Sequence, residues 1–292
     1  MRKQFVDTVS KIIQEDERAV LLLGDIGVYG FKDILKEYSS RAYNIGILEQ
    51  TTISVAAGLS MGGLFPIVHT IAPFIIERAL EQIKVDLCYQ SLGANLVSVG
   101  SSYDYAELGC THHCPGDVSI LNEIPDIEIM VPGHPLEFDK LFNQNYANKS
   151  TSYYRLSESK NSESLEVEFG KNNIIQEKGD VVIIAVGPIL ESVKTATKDL
   201  DVTIIYCTTV KPFDFASIER FLNKKIIIVE PYYSSPLLTN ILRKNDSLNV
   251  DVSTIGVPND FINKYGSRND IDKMLGMDPK SIRKKIVDII ND

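Results

Sequence analysis

The feature that most constrains the fold is an alternation of strand-like and helix-like segments that runs along the chain and then restarts. Apolar runs such as 19–24 (AVLLLG) alternate with segments of helical periodicity such as 3–16. Strands that alternate with helices form mostly parallel sheets covered by helices on both faces. We therefore predict an α/β chain of two three-layer domains, residues 1–158 and 179–292, joined by a polar linker at 159–178.

The helical pattern is long in two further places. Residues 73–91 predict one continuous helix begun by Pro73, a residue that favours the first turn of a helix. In the second half, residues 214–222 predict another helix.

Composition excludes several classes of protein. The 292 residues carry a net charge of −9, and no basic stripe is present to bind nucleic acid or an anionic membrane. No apolar run resembles a signal peptide or has the length of a membrane span. The four cysteines outside any small disulfide-rich domain predict reduced thiols, and hence a cytoplasmic location.

One carboxylate, Glu49, stands in an unusual segment, NIGILEQTTISVAAGLSMGG at 44–63. It follows an apolar run and precedes Ala56, Ala57 and Gly58, whose small side chains let another backbone come close. A carboxylate in apolar surroundings must be paired, protonated or functional, because an unpaired buried charge is costly. A structural ion pair and a functional carboxylate both stay open here.

The loop 109–116 (GCTHHCPG) places two cysteines and two histidines within five residues. Such residues bind zinc, but four ligands within one tight turn do not easily form a tetrahedron. We therefore predict no metal site in this chain. A loop that brings a histidine to a substrate or cofactor is favoured, with a plain surface turn as the alternative.

Three more residues are weaker candidates. Asp25 follows the strand at 19–24, and ligands gather at the carboxyl ends of parallel strands. Arg155 ends another strand and is either a phosphate clamp or a solvated charge. Phe74, taken alone, is a core residue. The phosphate-binding motifs G-x-x-x-x-G-K-[ST] and G-x-G-x-x-G at a strand-to-helix turn are absent from the sequence.

Several of these segments together resemble one family of enzymes. NIGILEQTTISVAAGLSMGGLFPIV at 44–68 and GCTHHCPGDVSILNEIPDIEIMVPGHPLE at 109–137 resemble the pyrimidine-binding domain of the transketolase and deoxyxylulose-phosphate synthase family. VKPFD at 210–214 and the strand that ends in Glu230 resemble the C-terminal domain of that family. The resemblance covers nearly the whole chain.

The chain also departs from the family pattern. The domain that holds the cofactor's diphosphate through a G-D-G…N motif is absent from this sequence. Glu107-Leu108-Gly109 stands where the family has an acidic residue before glycine, and Thr70-Ile71 stands where it has a Thr-Phe pair. The first difference affects a position that commonly touches the sugar.

The resemblance implies a role for each candidate residue. Glu49 hydrogen-bonds the aminopyrimidine ring of thiamine diphosphate and promotes its activation. Phe74 stacks on that ring, and His112 contacts the substrate near the reacting carbon. Asp25 and Ile47 support the cofactor pocket across a subunit interface. Arg155 matches a family arginine near the distal phosphate of the substrate.

The implied function is that of the small, C-terminal subunit of a split transketolase, which transfers a two-carbon ketol unit between sugars or sugar phosphates. An N-terminal partner subunit supplies the diphosphate site with Mg²⁺ (or Ca²⁺), and self-association through the Glu49 helix gives a heterotetramer. Three alternatives are a deoxyxylulose-phosphate-type synthase, the β chain of a 2-oxoacid dehydrogenase and a non-catalytic scaffold. The T-H loop and the KPFD segment favour transketolase over the dehydrogenases. The donor and acceptor sugars stay open.

Overall fold

The computed structural model describes residues 1–244 and 250–292 and contains two sheets. The strands of the first sheet are β1 (Ala19–Leu23), β2 (Ala42–Asn44), β3 (Phe65–Ile71), β4 (Ala94–Val99), β5 (Glu128–Met130), β6 (Thr151–Arg155) and β10 (Thr209–Lys211). The strands of the second sheet are β7 (Asn173–Gln176), β8 (Val181–Val186), β9 (Val202–Cys207), β11 (Lys225–Tyr233) and β12 (Val252–Val257).

The strands run β10-β5-β6-β4-β3-β1-β2 in the first sheet and β12-β11-β8-β9-β7 in the second. The β10–β5 and β7–β9 pairs are antiparallel, and the other pairs are parallel. The predicted α/β class with mostly parallel sheets is confirmed.

Helices cover both faces of each sheet. They are α1 (Arg2–Glu15), α2 (Lys32–Glu37), α3 (Glu49–Met61), α4 (Ala72–Ile76), α5 (Leu80–Gln82), α6 (Asp117–Asn122), α7 (Pro135–Asn145), α8 (Leu190–Ala196), α9 (Pro236–Lys244), α10 (Arg268–Leu275) and α11 (Pro279–Asn291). Successive side chains of a strand point to opposite faces. Val20 and Leu22 of β1 accordingly join the core beneath α3, whereas Leu21 and Leu23 join the core beneath α1 and α7. None of the helices in the described ranges combines the length and apolar character of a membrane span.

The two halves of the chain interlock. Val182 and Ile184 of β8 belong to the same hydrophobic cluster as Ile129 of β5 and Leu121 of α6. Strand β10 comes from the second half but pairs at the edge of the first sheet. Residues 159–178, expected as a linker, contain β7, which pairs with β9. The chain therefore crosses between the sheets more often than a simple two-domain division predicts.

Two predicted helices are wrong. The segment 73–91 is not one helix: α4 ends at Ile76, α5 is a single short turn, and a π-helix follows at Ile83–Cys88. The break lies beside Arg78, whose side chain turns toward Glu49 on α3. The segment 214–222 forms two single 3₁₀ turns, the first held by the Asn172 side chain, which donates to the Asp214 carbonyl.

Candidate functional site

Glu49 lies in the first turn of α3, with its carboxylate facing into the protein. The residue is only 3% exposed. Its Oε2 accepts a hydrogen bond from Nη1 of Arg78 at 2.8 Å. Its Oε1 is buried and has no hydrogen-bond partner within the described ranges. A buried acceptor without a donor costs about 1–3 kcal/mol, so a ligand that brings a donor to this oxygen is favoured.

Phe74 and Arg78 extend the site from α4. They are four residues apart, a spacing that puts side chains on one helical face. The guanidinium of Arg78 lies 4.5 Å from the centre of the Phe74 ring. The Phe74 ring also meets the ring of His112 edge-on, with centres 5.3 Å apart. We call these four residues, Glu49, Phe74, Arg78 and His112, the Glu49 cluster.

His112 comes from the polar loop of the first half. It ends a single 3₁₀ turn at Cys110–His112, and its Nδ1 lies 2.9 Å from Oγ1 of Thr111. The ring of Tyr105 meets the His112 ring edge-on at 6.3 Å. Within the described ranges, no group of three or more His, Cys, Asp or Glu side chains is placed to hold a metal ion. The loop therefore delivers one histidine to the cluster.

Arg2 is a residue of this region that the sequence did not reveal. It lines a cavity of 70 Å³ together with Tyr105 and Gly100, and a second cavity of 420 Å³ together with Gly27 and Tyr29. Burial raises the pKa of the Tyr105 hydroxyl, and Arg2 opposes that shift. A cation thus stands beside the tyrosine that contacts His112. Its position at the start of an amphipathic helix carries no signal of this role.

Asp25 and Ile47 lie at the carboxyl ends of β1 and β2. Asp25 adopts a left-handed backbone conformation, with φ of 59°. Its amide donates to Oδ1 of Asn44 at 3.0 Å, and Nδ2 of Asn44 donates to its carboxylate at 3.1 Å. Ile47 is 65% exposed. Both residues stand at the edge where ligands of parallel sheets bind, outside the contacts that join the Glu49 cluster.

The expected phosphate clamp, Arg155, does not reach this edge as a free cation. It is 1% exposed, and its Nε donates to Oδ2 of Asp117 at 2.7 Å. Its Nη2 donates to Oγ of Ser102 at 2.7 Å, and its guanidinium lies over the Tyr232 ring. Because these buried groups hold the guanidinium, the structure gives Arg155 a structural role, and we do not assign it to the substrate.

The small residues after Glu49 also face differently from what we expected. Ala56 and Ala57 are buried against the first sheet of their own chain, whereas Val55 and Gly58 face outward. Within the described ranges, no atom lies within 4 Å of a Cβ added at Gly58. The outer face of α3 is therefore open, but its buried alanines do not form it.

Comparisons with known proteins match nearly the whole length of the chain. The family described as "Transketolase, pyrimidine binding domain" matches residues 1–162, and "Transketolase, C-terminal domain" matches residues 170–282. An "Uncharacterized 33.6 kDa protein in fasciation locus" of Rhodococcoides fascians is 36% identical over 287 residues, which cover 97% of this chain and 92% of that protein.

Two further comparisons cover both chains almost completely. One of the two subunits named for an apulose-4-phosphate transketolase of Phocaeicola vulgatus is 27% identical over 303 residues, covering 99% of this chain and 97% of that protein. In fold, the chain is similar to a structure described as "Split gene transketolase, inactive beta4 tetramer". The TM-score is 0.86 at 21% identity, and the match covers 99% of this chain and 98% of the other.

Proposed function

Because the chain belongs to the transketolase family, we propose that it is the C-terminal subunit of a thiamine-diphosphate-dependent transketolase. The observation that carries this proposal is the buried Oε1 of Glu49, which lacks a partner among the described residues and lies in the cluster that contains the Phe74 ring. A match to one subunit of an apulose-4-phosphate transketolase, over 97% of that subunit's length, supports the split arrangement.

The Glu49 cluster fits the pyrimidine end of the cofactor. Oε1 of Glu49 can accept or share a proton with a ring nitrogen, which would satisfy this buried oxygen. The Phe74 ring offers an aromatic face to a flat heterocycle, and such contacts favour offset or edge-on geometry. When bound, thiamine diphosphate supplies the nucleophilic carbon and the electron sink for ketol transfer. Asp25 and Ile47 are proposed to line the same pocket.

The substrate side of the site is assigned to His112 and Arg2. His112 projects from the loop beside Phe74 and can hydrogen-bond a sugar oxygen or move a proton there. Arg2 supplies a permanent positive charge near Tyr105, which suits the phosphate of a sugar phosphate. This assignment replaces the one first expected for Arg155.

Two partners are proposed. An N-terminal subunit holds the diphosphate and its Mg²⁺ or Ca²⁺, for which this chain has no matching domain. A second copy of this chain covers the outer face around α3. Large exposed apolar side chains gather there; they are Ile47, Leu48, Val55, Met61, Val85 and Tyr89. Contiguous exposed apolar surface marks interfaces, so we propose a heterotetramer. A cytoplasmic location stays a prediction.

Reconstitution tests this function. The chain would be mixed with the chain that carries the G-D-G…N domain, sought among the neighbouring genes, in the presence of thiamine diphosphate and Mg²⁺. Ketol transfer from a ketose phosphate to an aldose is expected in the mixture and in neither chain alone. Activity of either chain alone would contradict the shared site.

The alternatives have less support. A deoxyxylulose-phosphate-type synthase shares the family, but a relative that matches end to end is named as part of a transketolase. Such a synthase would release carbon dioxide from pyruvate in the same reconstitution, and the transketolase would not. A scaffold without catalytic function would tolerate loss of the Glu49 carboxylate.

A further inference from the structure

A further cavity lies on the other side of the His112 loop, where the two halves of the chain meet. Its volume is 260 Å³. The first half contributes Glu77, Cys110 and His113, and the second half contributes Tyr233, Asp260 and Phe261. This volume is slightly below the about 300–1,000 Å³ of pockets for drug-sized ligands, so the cavity suits a small molecule.

His113 is the polar group that this cavity leaves unsatisfied. The residue is 6% exposed, and neither ring nitrogen has a hydrogen bond of good geometry within the described ranges. Burial lowers the pKa of its imidazole, which keeps the ring neutral and able to accept a hydrogen bond. A buried polar group without a partner is uncommon in a folded protein, and a ligand donor in the cavity would supply one.

The charge of the lining defines the chemistry of that ligand. The lining contains two carboxylates, Glu77 and Asp260, and, among the described residues, neither lysine nor arginine. Burial raises the pKa of the Glu77 carboxyl, although Cys114 donates its thiol hydrogen to Oε1 at 3.4 Å. Tyr233 and the 78% exposed Phe261 add two aromatic rings. Carboxylates and aromatic faces together attract organic cations.

We propose that this cavity binds a small protonated amine, held by the carboxylates of Glu77 and Asp260, the faces of Tyr233 and Phe261, and an N–H donated to the His113 ring. The amine belongs either to an amino sugar or to a separate small metabolite. The two sources share the ammonium group that the cavity recognises.

The cavity shares its walls with the Glu49 cluster. Glu77 immediately precedes Arg78, which pairs with Glu49. Cys110 and His113 lie on either side of His112 in the same loop. An amine bound here therefore touches both segments that carry the cluster. The inference does not depend on the proposed reaction, because the lining comes from this chain alone.

Calorimetric titration of the full chain tests the site without any assay of activity. Ethanolamine and glucosamine are the cationic probes, and ethylene glycol and N-acetylglucosamine are their uncharged counterparts. The cationic probes are expected to bind, and the uncharged ones are not. In Glu77→Gln and in Asp260→Asn, the Kd of the amines is expected to rise about tenfold, equivalent to about 1.4 kcal/mol.

Glu37→Gln is the matched control, because Glu37 is an exposed residue of α2 that does not line the cavity. It removes the same charge and is expected to leave the Kd unchanged. Tighter binding of glucosamine assigns the site to an amino sugar, and tighter binding of ethanolamine assigns it to a separate amine. Absence of saturable amine binding, equal binding of the uncharged probes, or equal loss in Glu37→Gln would overturn the proposal.

Discussion

Two arginine–carboxylate pairs of the first half differ in what surrounds them. Asp117 and Arg155 are 0% and 1% exposed at their side chains, whereas Glu49 is 2% exposed and its partner Arg78 is 41% exposed. Both carboxylate oxygens of Asp117 accept hydrogen bonds: Oδ1 from the Val118 amide, and Oδ2 from Tyr153 and Arg155. In the part of the chain that the structure describes, Glu49 has one oxygen paired and one without a partner.

This difference separates a structural pair from a binding site. A buried ion pair is tolerated when additional hydrogen bonds satisfy the remaining groups, and Asp117 meets that condition. Glu49 does not, and its partner stands partly in solvent beside an aromatic ring. A polar site that the protein leaves incomplete is where a ligand gains most. The sequence presents both carboxylates and both arginines alike; their surroundings distinguish them.

The largest expected effect is that of Glu49→Gln, which keeps the shape of the side chain and removes its charge. If the free oxygen of Glu49 shares a proton with the cofactor, the turnover of the reconstituted enzyme should fall by about 10²–10⁴-fold. Circular dichroism and the oligomeric state should stay unchanged. Glu81→Gln, an exposed residue of α5, is the control and should retain activity. Near-normal turnover of the Glu49 variant would sink the proposed role.

Arg155→Met tests the other pair through stability. Removing the cation leaves Asp117 as an uncompensated buried charge, and the free energy of unfolding should fall by about 3–5 kcal/mol. Urea denaturation measures it. Arg78→Met is the matched control, since a partly exposed pair contributes only about 0–1 kcal/mol. If the two variants lose equal stability, the distinction between the pairs is wrong.

The fold followed from the sequence because it depends on local pattern. Apolar strands such as β1 and β11 alternate with amphipathic helices, and this alternation predicts a parallel sheet at every repeat. Its failures lie where tertiary contacts override periodicity. The segment 73–91 has helical spacing throughout, yet the helix breaks where Arg78 turns to a carboxylate 29 residues away. Strand β10 pairs with β5 across the two halves, and nothing local announces that.

The site was predictable only in part, for the same reason. Glu49, Phe74 and His112 lie within motifs that resemble a family, and the structure joins them through Arg78. Arg78 has the helical spacing from Phe74 that could have suggested it. Arg155 carried the opposite lesson: its partner Asp117 lies 38 residues away, so no local pattern indicated that its charge was already neutralised.

Glu230 extends the comparison to a buried carboxylate held by amides in place of a cation. It is 0% exposed and accepts from the Ser235 and Leu237 amides. Burial raises its pKa from 4.5 to about 7, although these amides oppose the shift.

Between pH 4.5 and about 7 the unfolded chain has released this proton and the folded chain keeps it. Stability should therefore fall as pH rises through that window, by at most about 1.4 kcal/mol per pH unit. Glu230→Gln should remove this component from urea titrations at a series of pH values, and Glu37→Gln should keep it. Parallel curves for wild type and Glu230→Gln would show that Glu230 ionises normally.

The smallest expected effect belongs to Arg78, and it sharpens the comparison from the open side. Arg78→Lys keeps the charge beside Glu49 but loses the planar group that lies over Phe74. Because the pair is partly exposed, we expect the apparent Kd for thiamine diphosphate to rise by no more than about fivefold, in line with a pair worth about 0–1 kcal/mol. Lys84→Met, on the exposed side of the π-helix, should leave it unchanged. A loss of turnover as large as that of Glu49→Gln would mean that Arg78 acts on the reacting groups directly, and that positioning Glu49 is not its main role.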